Sequence, residues 1–150
     1  MAELRLEELS ATNIVAVNAL SLRPGQEQFI APVSYSAAAA VSNPATSWQR
    51  VVYRGDEVVG YIMGNFDPRA RQELFRSILW RVNVDADVQG EGIGTYAVRS
   101  LADEARQRGI STLHVIWEPG EAGPGSFFER IGFAPIGETE FGEVIGRLEL

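Results

Sequence analysis

The segment Gln89-Gly90-Glu91-Gly92-Ile93-Gly94-Thr95 joins a β-type run to a helical one. The first turn of a helix leaves backbone N–H groups unpaired and carries positive partial charge. Glycines there let a ligand reach the backbone with no Cβ in the way. Together these features make an anion site suited to a pyrophosphate, and such a site needs no lysine. A dinucleotide fingerprint would place Gly-x-Gly-x-x-Gly early in a βαβ unit, whereas this loop has another order and lies late in the chain. A phosphate loop ending in Gly-Lys-Ser/Thr is absent.

Composition narrows the remaining chemistry. The 150 residues include no cysteine, which excludes a thiol nucleophile, disulfides and zinc–thiolate sites. His114 is the single histidine, so a multi-histidine centre is excluded and no metal is expected. The net charge of −7 comes without a basic stripe, which argues against a nucleic-acid partner. An acidic surface steers cations, a weak pointer to an amine. Met1 to Arg5 lacks the pattern of a signal peptide, and no apolar run approaches the ~20 residues that span a bilayer. The expectation is a cytoplasmic protein with no membrane partner.

The elements that must position the loop read as follows. Leu4, Leu6 and Leu9 mark an edge strand. Thr12 or Asn13 caps a helix carrying Ile14, Val15, Val17 and Leu20, which Pro24-Gly25 breaks. Ser34 caps a second helix through Ala37 to Ala40, and Asn43-Pro44 stops it. Trp48 to Tyr53 and Val58 to Met63, around Gly55-Asp56, predict a β-hairpin. Residues 65–73 read as a loop. Phe75 to Val84 reads as one long strand, with Ile78, Trp80, Val82 and Val84 on one face and Leu79 on the other. Gly92 to Arg108 is the clearest helix, its stripe made of Ile93, Ala97, Val98, Leu101, Ala102 and Ala105, with Gly109 as the stop. Thr112 to Trp117 is a strand, Ser126 to Ile131 a short helix, and Phe133 to Ile136 and Val144 to Leu150 closing strands. This order predicts one mixed α+β domain over 1–150, not alternating βαβ units.

These residues resemble the GNAT superfamily of acyl-CoA-dependent N-acyltransferases. Its pyrophosphate loop reads Gln/Arg-x-x-Gly-x-Gly/Ala, which Gln89 to Gly94 matches throughout. The resemblance covers almost the whole chain. It is nearest to the bacterial spermine/spermidine (diamine) branch, through Pro24 to Ala31, Val58 to Met63, Leu79 to Asp85, Ile131-Gly132-Phe133 and Gly137-Glu138. The resemblance implies a splayed, predominantly antiparallel sheet of about seven strands with about four helices. It implies acetyl-CoA as co-substrate, lying in the split between the fourth and fifth strands. Its arm would meet backbone at Val82 and Val84, and its pyrophosphate the loop from Gln89 through Gly90, Glu91, Gly92, Ile93 and Gly94 to Thr95. The acceptor would be a primary amine of a small molecule, polyamines included, attacking the thioester directly. A homodimer is compatible with the resemblance, with no interface identified by the sequence.

A free alkyl amine is mostly protonated at neutral pH, so a carboxylate must take its proton. Glu118, at the end of the strand lining the split, is the first candidate base, with Glu27, Glu121 and Glu138 as rivals. Glu27, Trp80 and Glu138 are expected to contact the acceptor. Trp48, Trp80 and Trp117 are candidate cation-cage residues, although strand tryptophans read first as core. His114 reads as structural. Arg81, among apolar neighbours, either pairs with Asp85 or Asp87 or turns to the opposite sheet face. Arg130 is a candidate contact for a coenzyme phosphate. The tyrosine that serves the family as acid is replaced here by Phe128, with Ser126 a substitute hydroxyl. That departure leaves two alternatives beside the small-molecule enzyme: a weak or inactive acyl-CoA-binding module, and an acetyltransferase for a protein amine.

Overall fold

A computed structural model describes residues 3–21, 44–121 and 123–150. The predicted second helix and Glu27 lie outside the described residues. The strands are β1 (Leu4–Glu8), β2 (Ser47–Arg54), β3 (Glu57–Asn65), β4 (Ile78–Val84), β5 (Thr112–Trp117), β6 (Ala134–Glu138) and β7 (Val144–Glu149). The described α-helices are α1 (Ile14–Asn18), α2 (Ile93–Gln107) and α3 (Gly125–Ile131). One seven-stranded sheet runs β1-β2-β3-β4-β5-β7-β6, antiparallel except where β4 meets β5. No described helix is long and apolar enough to cross a membrane.

The β2–β3 hairpin forms as expected: Arg54 pairs with Glu57 across Gly55-Asp56, and Gly55 takes φ +62°. Alternation divides the apolar residues between two faces. Val52, Ile62, Leu79, Val98, Leu101 and Leu113 share the α2 face, whereas Val17, Val51, Tyr61 and Met63 share the other. All six predicted stripe residues of α2 are buried, each of the larger ones contributing about 2 kcal/mol. Two glycines of β3 let α2 come close. A Cβ at Gly60 would lie 3.3 Å from Ile93 Cγ2, and one at Gly64 would lie 2.5 Å from Leu101 Cδ1. Four residues of strand span about 13 Å and eight of helix about 12 Å, so both contacts hold α2 in one register along β3.

Four sequence readings are corrected. Strand β4 begins at Ile78, because Phe75 belongs to a 3-10 turn, Glu73–Arg76. The face assignment along β4 also fails. Met63 opposes Arg81 while Gly64 opposes Leu79, so Trp80 is an extra residue in a β-bulge. The bulge shifts the alternation, and Leu79 joins the α2-face core against which Val82 and Val84 pack. Helix α1 stops at Asn18, before Leu20. Its Asn13 side chain does not cap the helix: Oδ1 accepts from Ser10 N–H at 2.8 Å and Nδ2 donates to Glu8 C=O at 3.0 Å.

Asp85 ties the segment after α1 to the end of β4. Its Oδ1 accepts from the Ser21 hydroxyl at 2.6 Å and from Ser21 N–H at 3.0 Å, and Ala86 N–H donates to Ser21 C=O at 3.0 Å. The Ser21 hydroxyl is the largest cause holding Asp85 below its ordinary pKa. A carboxyl group with a lowered folded pKa stabilises the fold above its unfolded value and loses that contribution as the pH falls through the folded one. Asp85→Asn should therefore cost about 1 kcal/mol near neutrality, a small figure because the group is partly exposed. The gap to wild type should close below about pH 4. Urea unfolding across a pH series measures both, and a gap that widens on acidification would contradict the assignment.

Candidate active site

Strands β4 and β5 pair only at Ile78 with His114 and at Leu79 with Val115. Beyond that point they part, and a cleft of about 970 Å³ opens between them. Asp85 N–H donates to Val59 C=O at 3.0 Å, so Asp85 turns its backbone to β3. By the alternation of antiparallel pairing, Asn83 does likewise, while Val82 and Val84 turn their backbone groups toward the split. Gln89 Nε2 donates to Val84 C=O at 2.9 Å, which fixes the loop to the strand it follows.

The loop has the geometry of an anion cradle. Gly90 and Gly92 both have φ +85°, and a Cβ at either would meet nothing within 4 Å. Gly92 is the N-cap of α2, with no side chain capping the helix. Tyr96 N–H donates to Gly92 C=O at 3.0 Å, so the N–H groups of Ile93, Gly94 and Thr95 precede the first intrahelical bond. Gly94 serves packing: a Cβ there would come within 3.0 Å of Phe127 Cζ and 3.4 Å of Val84 Cγ2. Phe127 of α3 thus rests on the start of α2. Arg99 and Arg130 line the cleft as well. Glu91, an acidic residue inside an anion loop, is drawn aside by Arg54 at the hairpin end, Nη1 to Oε1 at 2.7 Å.

The opposite part of the cleft gathers Trp80, Arg81, Glu118 and Glu143. Glu118 is exposed at the end of β5. Trp117 pairs with Val144, so continuing that antiparallel register by one step sets Glu143 opposite Glu118. The Glu143 carboxylate accepts from the Thr139 hydroxyl at 3.3 Å. Arg81 pairs with neither Asp85 nor Asp87; it shares a sheet face with its partner Met63. Burial lowers its pKa, while Tyr61 and Glu143 act in the opposite direction. Burial likewise raises the Tyr61 phenol above its ordinary value, with Arg81 opposing, and the phenol bonds Gln49 Oε1.

Phe128 is buried beside the cleft, its ring 5.6 Å from that of Trp117 and 5.8 Å from that of Phe133. Glycines confine Trp117 on two sides, since a Cβ at Gly125 would stand 2.8 Å from its Nε1 and one at Gly146 2.4 Å from its Cζ3. Trp48 and His114 are buried away from the cleft lining, and Trp80 is 43% exposed within it. Glu121, Ser126 and Glu138 are exposed and do not line it. Glu138 sits on β6, at the sheet edge. Sequence reasoning passed over Arg99 and Glu143. Arg99 was legible as the polar face of α2, whereas Glu143 becomes visible only once the last strand is paired with β5.

A model of the acetyltransferase (GNAT) family matches residues 15–133. The chain belongs to the GNAT acetyltransferase family. Over 59 residues it is 34% identical to ycf52 of Pyropia yezoensis, described as an uncharacterized N-acetyltransferase; the match covers 39% of this chain and 32% of that relative's length. Its fold is similar to that of the ribosomal-protein-S18-alanine N-acetyltransferase of Escherichia coli, at 18% identity and TM-score 0.72, covering 98% of this chain and 94% of the other. It is also similar to PaiA N-acetyltransferase of Thermoplasma acidophilum in complex with coenzyme A, at 13% identity and TM-score 0.74, covering 99% of each chain. Membership of that family makes the chain an acyltransferase by family, and the Thermoplasma acidophilum neighbour of the same fold is described with coenzyme A.

The Arg54–Glu91 pair bears on the anion cradle of this acetyltransferase. Arg54→Ala frees an acidic charge beside the loop. Coenzyme A affinity should fall about two- to fivefold at low salt, the range of a partly exposed ion pair, and less at high salt. Glu91→Gln in the same chain should restore it. Calorimetry at two ionic strengths checks this, and equal losses at both salts would separate Arg54 from the loop charge.

Proposed function

We propose that residues 1–150 act as one domain that transfers an acetyl group from acetyl-CoA to a primary amine of a small molecule. The observation that carries the reading is a cleft whose wall offers strand backbone that β5 does not pair and whose end meets a helix start with no side-chain cap. The two features suit the two parts of the coenzyme. Backbone of Val82 and Val84 would pair with the amide-bearing arm. The N–H groups from Gly90 to Thr95 would hold the pyrophosphate, with the open space at Gly90 and Gly92 admitting its oxygens. Arg99 and Arg130 would add positive charge. The acetyl thioester supplies an electrophilic carbonyl with a good leaving group.

The chain's own groups do the remaining work. The acceptor must lose a proton as its nitrogen bonds to the carbonyl carbon, and Glu118, a residue of the cleft lining, would take it. Glu143, opposite, is the nearest substitute. Phe128 has no proton to give. Thr95 carries the one hydroxyl among the described side chains of the lining, and it lies at the anion loop. The thiolate must then leave unprotonated or take its proton from water, which its low basicity allows.

Glu118→Gln should lower kcat/KM on the order of 10²- to 10⁴-fold while the acetyl-CoA Kd stays within error. An unchanged pH–rate profile in that variant would pass the role to Glu143. Thiol release should be measured with a panel of polyamines, amino acids, aminoglycosides and peptides. Coenzyme binding with no release from any of them would make the protein a coenzyme-binding module, and release with peptides alone would move the acceptor to a protein amine.

A further inference from the structure

The acceptor part of the cleft contains a cation whose hydrogen-bonding capacity is not met, although Tyr61 and Glu143 act on its charge. Arg81 presents a guanidinium, and its Nε is buried without a hydrogen-bond partner among the described residues. It also forms no ion pair among them. A buried donor without a partner is destabilising, and such a group calls for an explanation, a role in the site being one. Arg81 lies on the sheet face away from α2, the side opposite the anion loop's helix. It is half-buried there and lines the cleft, which is where a small molecule would reach it. Glu118 and Glu143 stand across the cleft with negative charge. The site thus offers one planar fork of donors and two carboxylates to the same small molecule.

A polyamine matches half of that pattern and opposes the other half. One ammonium would suit Glu118 and Glu143, but the next would meet Arg81. A molecule with an amine at one end and a carboxylate at the other matches both. Guanidinium and carboxylate share a planar two-point geometry, which an ammonium on the same molecule leaves undisturbed. The exposed Trp80 next to Arg81 gives that molecule an apolar wall.

We infer that the acceptor is a primary amine that also bears a carboxylate, with Arg81 holding the carboxylate and Glu118 and Glu143 facing the amine. This rests on the acetyl-transfer reading above, and Arg81 is a specificity residue within it.

The test uses matched acceptors: amino acids, their carboxamides, their aminophosphonate counterparts, and spermidine. Wild type should favour the carboxylate over the carboxamide by about 10- to 100-fold in kcat/KM, the worth of a hydrogen bond to a charged group. A phosphonate preferred over a carboxylate would overturn the carboxylate assignment. Arg81→Met should shrink the carboxylate–carboxamide gap to within about threefold, chiefly through the KM of the carboxylate, and Arg81→Lys should fall between. Thermal unfolding gives a readout free of turnover. Because Arg81 forms no ion pair among the described residues and its Nε no hydrogen bond, Arg81→Met should unfold no earlier than wild type, and a marked drop in Tm would make Arg81 structural and overturn the inference. Wild type that acetylates spermidine or carboxamides as fast as carboxylates would overturn it as well, leaving acetyl transfer intact. Failure to bind acetyl-CoA, or to release thiol with any amine, would instead end the acetyl-transfer reading itself.

Discussion

Main-chain hydrogen bonding between neighbouring strands is nearly obligatory in a folded protein, because a buried N–H or C=O without a partner is costly. The sheet obeys that constraint along most of its length and breaks it between β4 and β5, which pair at their first residues and then separate. Backbone of Val82 and Val84 is left facing a cleft, with the side chain of Gln89 covering one carbonyl. The bulge at Trp80 belongs to the same departure: it adds a residue to β4 where the strands begin to part. Each neighbouring element then serves the gap. Helix α2 brings its uncapped end to one side, α3 brings Phe127 onto that end, and the end of β5 supplies Glu118.

Helix α2 is placed by β3, and the placement is steric. Leu101 and Ile93 occupy space that ordinary side chains at Gly64 and Gly60 would fill. The anion loop is thus held from both ends, by Gln89 on the strand that precedes it and by the helix that follows. Glu91 would be a poor neighbour for a phosphate, and the hairpin answers it with Arg54. Charge in the loop is balanced by an arginine of the β2–β3 hairpin, far from it in sequence.

Features governed by local periodicity were legible without coordinates. The stripe of α2 and its Gly109 stop, the Gly55-Asp56 turn and the closing strands all rest on patterns a few residues long. Features governed by pairing were not. Nothing local marks Trp80 as an extra residue, so strict alternation put Leu79 on the wrong face and left Arg81 with two orientations open. Phe75 has the apolar character of a strand residue, yet the chain turns there in a 3-10 segment before β4 begins. Glu143 went unread, and its position opposite Glu118 depends on the β5–β7 register across distant sequence. The geometry of the Gln89–Thr95 loop was legible because it is carried by backbone and glycine. The opposite part of the cleft was not, because it is assembled from side chains in the middle of β4, just after β5 and just before β7.

The distribution of indoles has a practical side. Of the chain's three tryptophans, Trp80 and Trp117 line the cleft and Trp48 belongs to the packed core. Trp117 is held against Phe128 in apolar surroundings, whereas Trp80 is open to water. Their emission maxima should therefore be well separated, and an occupant of the cleft would dry one ring while disturbing the other. The protein carries its own optical reporter of occupancy, and fluorescence titration can follow filling of the groove without a label.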